Sequence, residues 1–194
     1  MTLKRPTADM AFQAFAGTMA DFFHKPVRYT FDSSRQNIIF TISGFPVYSR
    51  TLADVQIELP RNFIQVTGGS FEMAALNQRQ VKLMQGGQTF KHAHVFDSGT
   101  PCWHSVGRNK LGTFFMYIVD TLLFSNISAD SLRIGRKASS CIGETDSEIL
   151  RNATSQRAYQ KTILNPKVFQ REDRFNIENF FNNTFNRHMN TLRQ

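Results

Sequence analysis

Cysteine and tryptophan are scarce: the 194 residues contain two cysteines and one tryptophan. So few thiols exclude a disulfide-stapled scaffold, and Cys102 and Cys141 read as reduced, with a pairing between them left to oxidising conditions. The first residues, Met1 to Pro6, are polar and basic with no apolar run after them, so no secretory leader is expected. No stretch approaches the ~18 apolar residues of a membrane span, and the expected location is the cytoplasm. No run of five or six like charges, no internal repeat and no low-complexity segment is present. That absence removes the usual signatures of charged tails and solenoids. Proline is missing altogether between Pro60 and Pro101.

What is present describes a globular chain. Hydrophobic residues make up 41% and charged residues 20%, enough for one sizeable core, so a single domain with an extension is expected. Nineteen phenylalanines indicate a core built on that side chain. The net charge of +8 favours an acidic or phosphate-bearing partner without naming one.

Along the chain, Thr7 can cap a helix whose Phe12, Phe15, Met19, Phe22 and Phe23 recur at threes and fours. The helix stops at His24-Lys25-Pro26, where proline disfavours helical geometry in the residue before it. The signal then changes to period two. Val27, Tyr29 and Phe31 alternate with polar residues, Ile38 to Ile42 is β-branched, Val55, Ile57 and Leu59 alternate, and Phe63 to Thr67 and Val81 to Met84 end at glycine pairs. This predicts an antiparallel meander of about four strands, with Phe71 to Leu76 suited to a short inserted helix. Leu111, Phe114, Phe115, Ile118, Leu122 and Leu123 mark a second helix closing near Ser125-Asn126. Asn126 to Ser131 reads as loop and Leu132 to Ser140 as a basic linker. Helical patterning returns from Ser147, broken at Asn165-Pro166, and ends with a stripe of Ile177, Phe180, Phe181, Phe185, Met189 and Leu192. The layout is α+β, with helices on one face of an antiparallel sheet.

The densest chemistry lies in Lys91 to His104, which holds His92, His94, Cys102, Trp103 and His104. Asp97-Ser98-Gly99 is a turn signal that brings the histidines back towards the thiol. Three readings stay open: an activated nucleophile, a metal site, or a small core residue near unrelated imidazoles. His92-x-His94 and Cys102-x-His104 supply four nitrogen or sulfur ligands suited to zinc, on strands where i and i+2 share a face. A zinc-binding protein with a basic nucleic-acid-binding surface is therefore one alternative, although no aromatic-basic motif of a nucleic-acid module is present.

The order of helix, meander, His/Cys stretch and crossing helix resembles the ubiquitin-conjugating enzyme family over residues 7 to 135. In that family a His-Pro-Asn motif precedes the catalytic cysteine, its histidine ten residues away. His92-Ala93-His94 stands in the motif's place, Cys102 falls at the family's spacing, and Gly99 matches the family's glycine. The variant motif is most similar to the divergent bacterial branch. Ala93 replaces the motif's proline, His94 its asparagine, and Trp103 a small apolar residue. The resemblance implies a ubiquitin-conjugating-like domain over 1–135, with a helical extension over 136–194.

It further implies that Cys102 carries a ubiquitin-like modifier as a thioester, received from an activating enzyme and passed to a lysine of a target protein, with no cofactor or metal of the chain's own. Asp130 falls on the loop that carries the family's acidic gate residue, His92 matches a structural histidine, and His94 stands in the position of the oxyanion-supporting amide. Trp103 and His104 are supporting residues. His94, His104, Arg108 and Lys110 are the cations expected to lower the thiol pKa. A non-catalytic scaffold of the same fold is the other alternative.

Overall fold

The structure is a computed structural model that describes residues 3–103, 110–124, 146–169 and 174–194. Helix α1 spans Ala8–Phe23, and the Thr7 hydroxyl accepts the Met10 N–H at 3.2 Å, so the expected cap is in place. At the other end His24 adopts φ 52°, a left-handed residue that stops the helix just ahead of Pro26. Phe15, Met19, Phe22 and Phe23 are fully buried along one face.

Strands β1 (Val27–Phe31), β2 (Asn37–Pro46) and β3 (Leu52–Pro60) form an antiparallel meander, as the alternation predicts. Register places Ile38 opposite Leu59, Phe40 opposite Ile57 and Ile42 opposite Val55. Opposed residues share a face, so these six fully buried side chains make one apolar surface.

Two expectations for the next segment are corrected. Ile64–Thr67 (β4) does not join the meander, and Ser70–Met73 (β5) is a strand rather than part of a helix. The two pair with each other as a separate two-stranded sheet. The cause is Gly68-Gly69, at φ +57° and +88°, whose geometry fits the tight turn that folds a hairpin back on itself. A short 3-10 turn at Gln78–Gln80, closed by a capping box from Asn77, leads the chain back to the open edge of β3. There β6 (Lys82–Gln85) pairs with β3, and β7 (Gln88–Thr89) with β6, so the main sheet runs β1-β2-β3-β6-β7 and is antiparallel throughout.

Helix α2 (Leu111–Leu122) follows, ending slightly before the expected boundary. The expected loop and linker over 126–140 lie outside the described residues. The C-terminal part forms α3 (Asp146–Ile163), α4 (Pro166–Phe169) and α5 (Arg174–Arg193), interrupted near Asn165 as expected. These helices share the core: Phe181 and Phe185 are buried with α1, α2 and the sheet in one apolar cluster. Phe15 occupies its centre, with ring centroids 5.2 Å from Phe40, 5.4 Å from Phe63 and 5.7 Å from Phe181. Asp21 of α1 ties to Arg187 at 2.7 Å and His188 at 2.9 Å on α5. The buried Gln160 of α3 donates to the Leu122 carbonyl at 2.5 Å and to the Pro46 carbonyl at 3.3 Å. One amide thus satisfies an otherwise orphaned carbonyl at the end of α2.

Candidate functional site: the histidine and cysteine hairpin

The turn expected at Asp97-Ser98-Gly99 forms. Gly99 N–H donates to the Phe96 carbonyl at 2.8 Å, Phe96 N–H to the Thr100 carbonyl at 2.9 Å, and Gly99 sits at φ +80°. This is a three-residue hairpin loop with its left-handed position filled by glycine. Val95 bridges Pro101 antiparallel, and Cys102 N–H donates to the His94 carbonyl at 2.5 Å. His94 and Cys102 are therefore directly opposed, which puts their Cβ atoms on the same side, about 5 Å apart in regular geometry.

The hairpin is clamped from both ends. Leu83 N–H of β6 donates to the Gly99 carbonyl at 2.8 Å, and the Thr89 hydroxyl donates to the Asp97 carbonyl at 2.7 Å. Trp103, 4% exposed, donates its indole N–H to the Thr121 hydroxyl at 3.0 Å and stacks on Tyr117 of α2. Trp103, expected as a supporting residue, is anchored on α2 by these contacts; Thr121, its partner, carries no sequence signal and emerges only from packing. Cys102 is held between these clamps as a free, half-buried thiol.

His92 is fully buried, with its ring 4.6 Å from that of Phe124 and 6.3 Å from that of Phe90. Its Nδ1 accepts the backbone N–H of His94 at 3.0 Å, so in the neutral ring the proton resides on Nε2. Nε2 is enclosed without a hydrogen-bond partner among the described residues. Burial, reinforced by His94, holds the imidazole well below its ordinary pKa. His92 is thus a neutral brace for the loop and cannot serve as a cation beside the thiol.

The electrostatics of the thiol differ from the expectation. Burial pushes Cys102 up from its ordinary value. A half-buried thiol loses hydration of its charged form, and the buried neutral His92 returns nothing. Among the expected cations, Lys110 is exposed at the head of α2, while His104 and Arg108 lie outside the described residues. So do Asp130 and Cys141. His94 is nearly buried, at 6% exposure, and is the remaining described imidazole positioned opposite Cys102. Among the described residues no group of three His, Cys, Asp or Glu side chains is arranged to hold a metal, and no helix is long and apolar enough to cross a membrane.

The state of His92 makes stability depend on pH. Below about pH 6.5 the unfolded chain takes up a proton that folded His92 refuses. Unfolding free energy therefore falls by about 1.4 kcal/mol per pH unit as pH drops through that window, and is fully retained above it. Chemical denaturation between pH 7.5 and 5 measures the slope. His92→Phe is expected to flatten it while costing about 1–3 kcal/mol at pH 7.5, because His94 N–H loses its acceptor. An unchanged slope in the variant would show that His92 titrates normally.

A groove of about 680 Å³ lies elsewhere, between β5 and α5. Its lining residues do not include Cys102. Compared with family models, curated proteins and solved structures, the chain matches none of them.

Proposed function

We propose that this chain is a ubiquitin-conjugating-like enzyme of the divergent bacterial kind, carrying a ubiquitin-like modifier on Cys102 and transferring it to a lysine or other amine. The observation that carries the reading is the half-buried thiol set opposite His94 in a hairpin clamped between β6 and α2. The α+β order of N-terminal helix, antiparallel sheet, His/Cys hairpin and crossing helix supports it.

In the loading step the Cys102 sulfur attacks the thioester carbonyl of the modifier on its activating enzyme. The new C–S bond forms, the old one breaks, and the proton from Cys102 goes to the departing thiol. In the second step a lysine amine attacks the same carbonyl, a C–N bond forms, and Cys102 leaves as a thiol with the proton that the amine releases. His94 is assigned to the oxyanion formed in the second step. A donor there contributes about 3 kcal/mol to the transition state. Because burial raises the thiol pKa, the thiolate is a minor form at neutral pH and loading requires proton removal as sulfur attacks. Partners are the activating enzyme, the modifier and a target protein, and the basic surface favours an acidic partner.

The test is incubation of the purified chain with ATP and the modifier and activating enzyme encoded in neighbouring genes. A reductant-sensitive adduct is expected, absent in Cys102→Ser. Its rate of formation should rise about tenfold per pH unit until the raised thiol pKa is reached. His94→Ala should retain loading and slow discharge to free lysine by a factor of about 100. Absence of any adduct from the unaltered chain overturns the catalytic reading. The raised thiol pKa favours one second reading, a binding module of the same fold. Modifier binding without an adduct is its signature.

A further inference from the structure

The groove between β5 and α5 is built like a site for an extended peptide. In the β4–β5 hairpin the two-residue turn makes Thr67 and Ser70 a hydrogen-bonded pair, so Gln65 and Glu72 form the next one. Phe71 and Met73 accordingly turn their backbone N–H and C=O groups away from β4. Neither residue's backbone meets another main-chain group on that side among the described residues. Such a strand edge is a template for another strand.

This edge opens onto the groove. Phe71 and Met73 lie on one wall, while Phe181, Phe185 and Met189 of α5 supply an apolar floor, with the Phe71 and Phe185 rings 5.6 Å apart. Asn182, Asn186 and Asn190 recur every four residues along the same helix and line the groove with exposed amides. Lys110 lies at the Asn182 end, where α2 begins against α5, and Arg193 at the other. At 1.5 Å per helical residue the two ends are about 16 Å apart, the span of about five residues of extended chain. The lining cations face one lining carboxylate, Glu72.

We infer that this groove binds an extended segment of a partner protein, about five residues long, apolar at alternate positions and acidic at its ends, which adds a strand to the open edge of β5. Backbone bonds to Phe71 and Met73 hold the main chain, the phenylalanine floor takes the inward side chains, and Lys110 and Arg193 hold the acidic ends. The site is independent of Cys102 chemistry, so it stands or falls apart from the conjugating role.

The test selects displayed random heptapeptides on the full chain and measures the enriched peptide, synthesised with a fluorescent label, by polarisation. Acidic, alternately apolar peptides are expected, with amide NMR shifts at Phe71 and Met73. Met73→Pro removes the outward N–H while leaving the bonds between β4 and β5, and should weaken binding about tenfold or more. Lys110→Glu should weaken it and reduce its salt dependence, while Cys102→Ser should leave it unchanged. No enrichment over the unselected pool, binding unaffected by Met73→Pro in a variant with an unchanged melting temperature, or self-association through β5 in sedimentation would each overturn the proposal.

Discussion

Phe15→Ala is expected to lower unfolding free energy by about 3–5 kcal/mol, at the upper end for a single truncation in a buried core. Phe15 is fully buried, and its ring meets Phe40 of β2, Phe63 at the head of β4, Phe114 and Phe115 of α2, and Phe181 of α5. Several contacts are edge-to-face, a geometry that adds to simple area burial. Alanine would remove the transfer free energy of the ring and leave a cavity bounded by other rings, each held by its own element and poorly able to collapse inward. A domain of this size is stable by about 5–15 kcal/mol, so the loss is a large share of the total. The melting temperature should fall by about 6–20 °C. Urea unfolding monitored at Trp103 measures the change, and a loss under about 1 kcal/mol would mean that the helices and sheet do not meet at this ring. Phe15→Leu should cost markedly less, since most of the volume remains.

Gly99→Val is expected to cost about 2–4 kcal/mol and to disable Cys102 without touching it. Gly99 sits at φ +80°, where a β-branched residue is strained. A Cβ there would also approach the Met84 sulfur to 2.8 Å and the Leu83 carbonyl oxygen to 3.2 Å. The sulfur can swing aside. The carbonyl cannot, because it accepts Phe90 N–H at 3.0 Å inside the sheet. The hairpin would therefore move off β6, lose the bond from Leu83 N–H to the Gly99 carbonyl, and carry Cys102 away from its place opposite His94. Thioester loading should fall by at least about tenfold at a temperature where the variant remains folded. Gly99→Asn, better tolerated at positive φ, should recover part of the stability but little of the loading, because its Cβ meets the same carbonyl. Equal recovery of both would attribute the whole effect to backbone strain.

The two substitutions probe elements of very different legibility. The stripe containing Phe15 is a run of apolar residues at helical spacing, and any helix built from it must bury that face. Glycine at position 99 after Asp97-Ser98 is turn chemistry encoded within three residues. In both cases the information is local, so the helix, the turn and the alternating strands β1 to β3 are directly legible. The β5 half of the hairpin is not legible locally, because Phe71 to Leu76 suits a helix in isolation and the packing of Phe71 on Phe185, far along the chain, favours the strand.

The α+β layout, the phenylalanine core and a turn that sets an imidazole, His94, opposite the thiol of Cys102 are all legible in the sequence. These follow from periodicities of two and 3.6 and from a glycine needed at positive φ. How those groups behave is set by the packing around them. Closure of the Phe-rich core around His92 keeps it neutral, and the partial burial of Cys102 raises rather than lowers its pKa. Both are desolvation effects, set by how much water surrounding elements exclude, and neighbours along the chain do not encode that quantity. The groove beside β5 belongs to the same class, since its walls come from segments a hundred residues apart that meet only when α5 packs across α1 and α2.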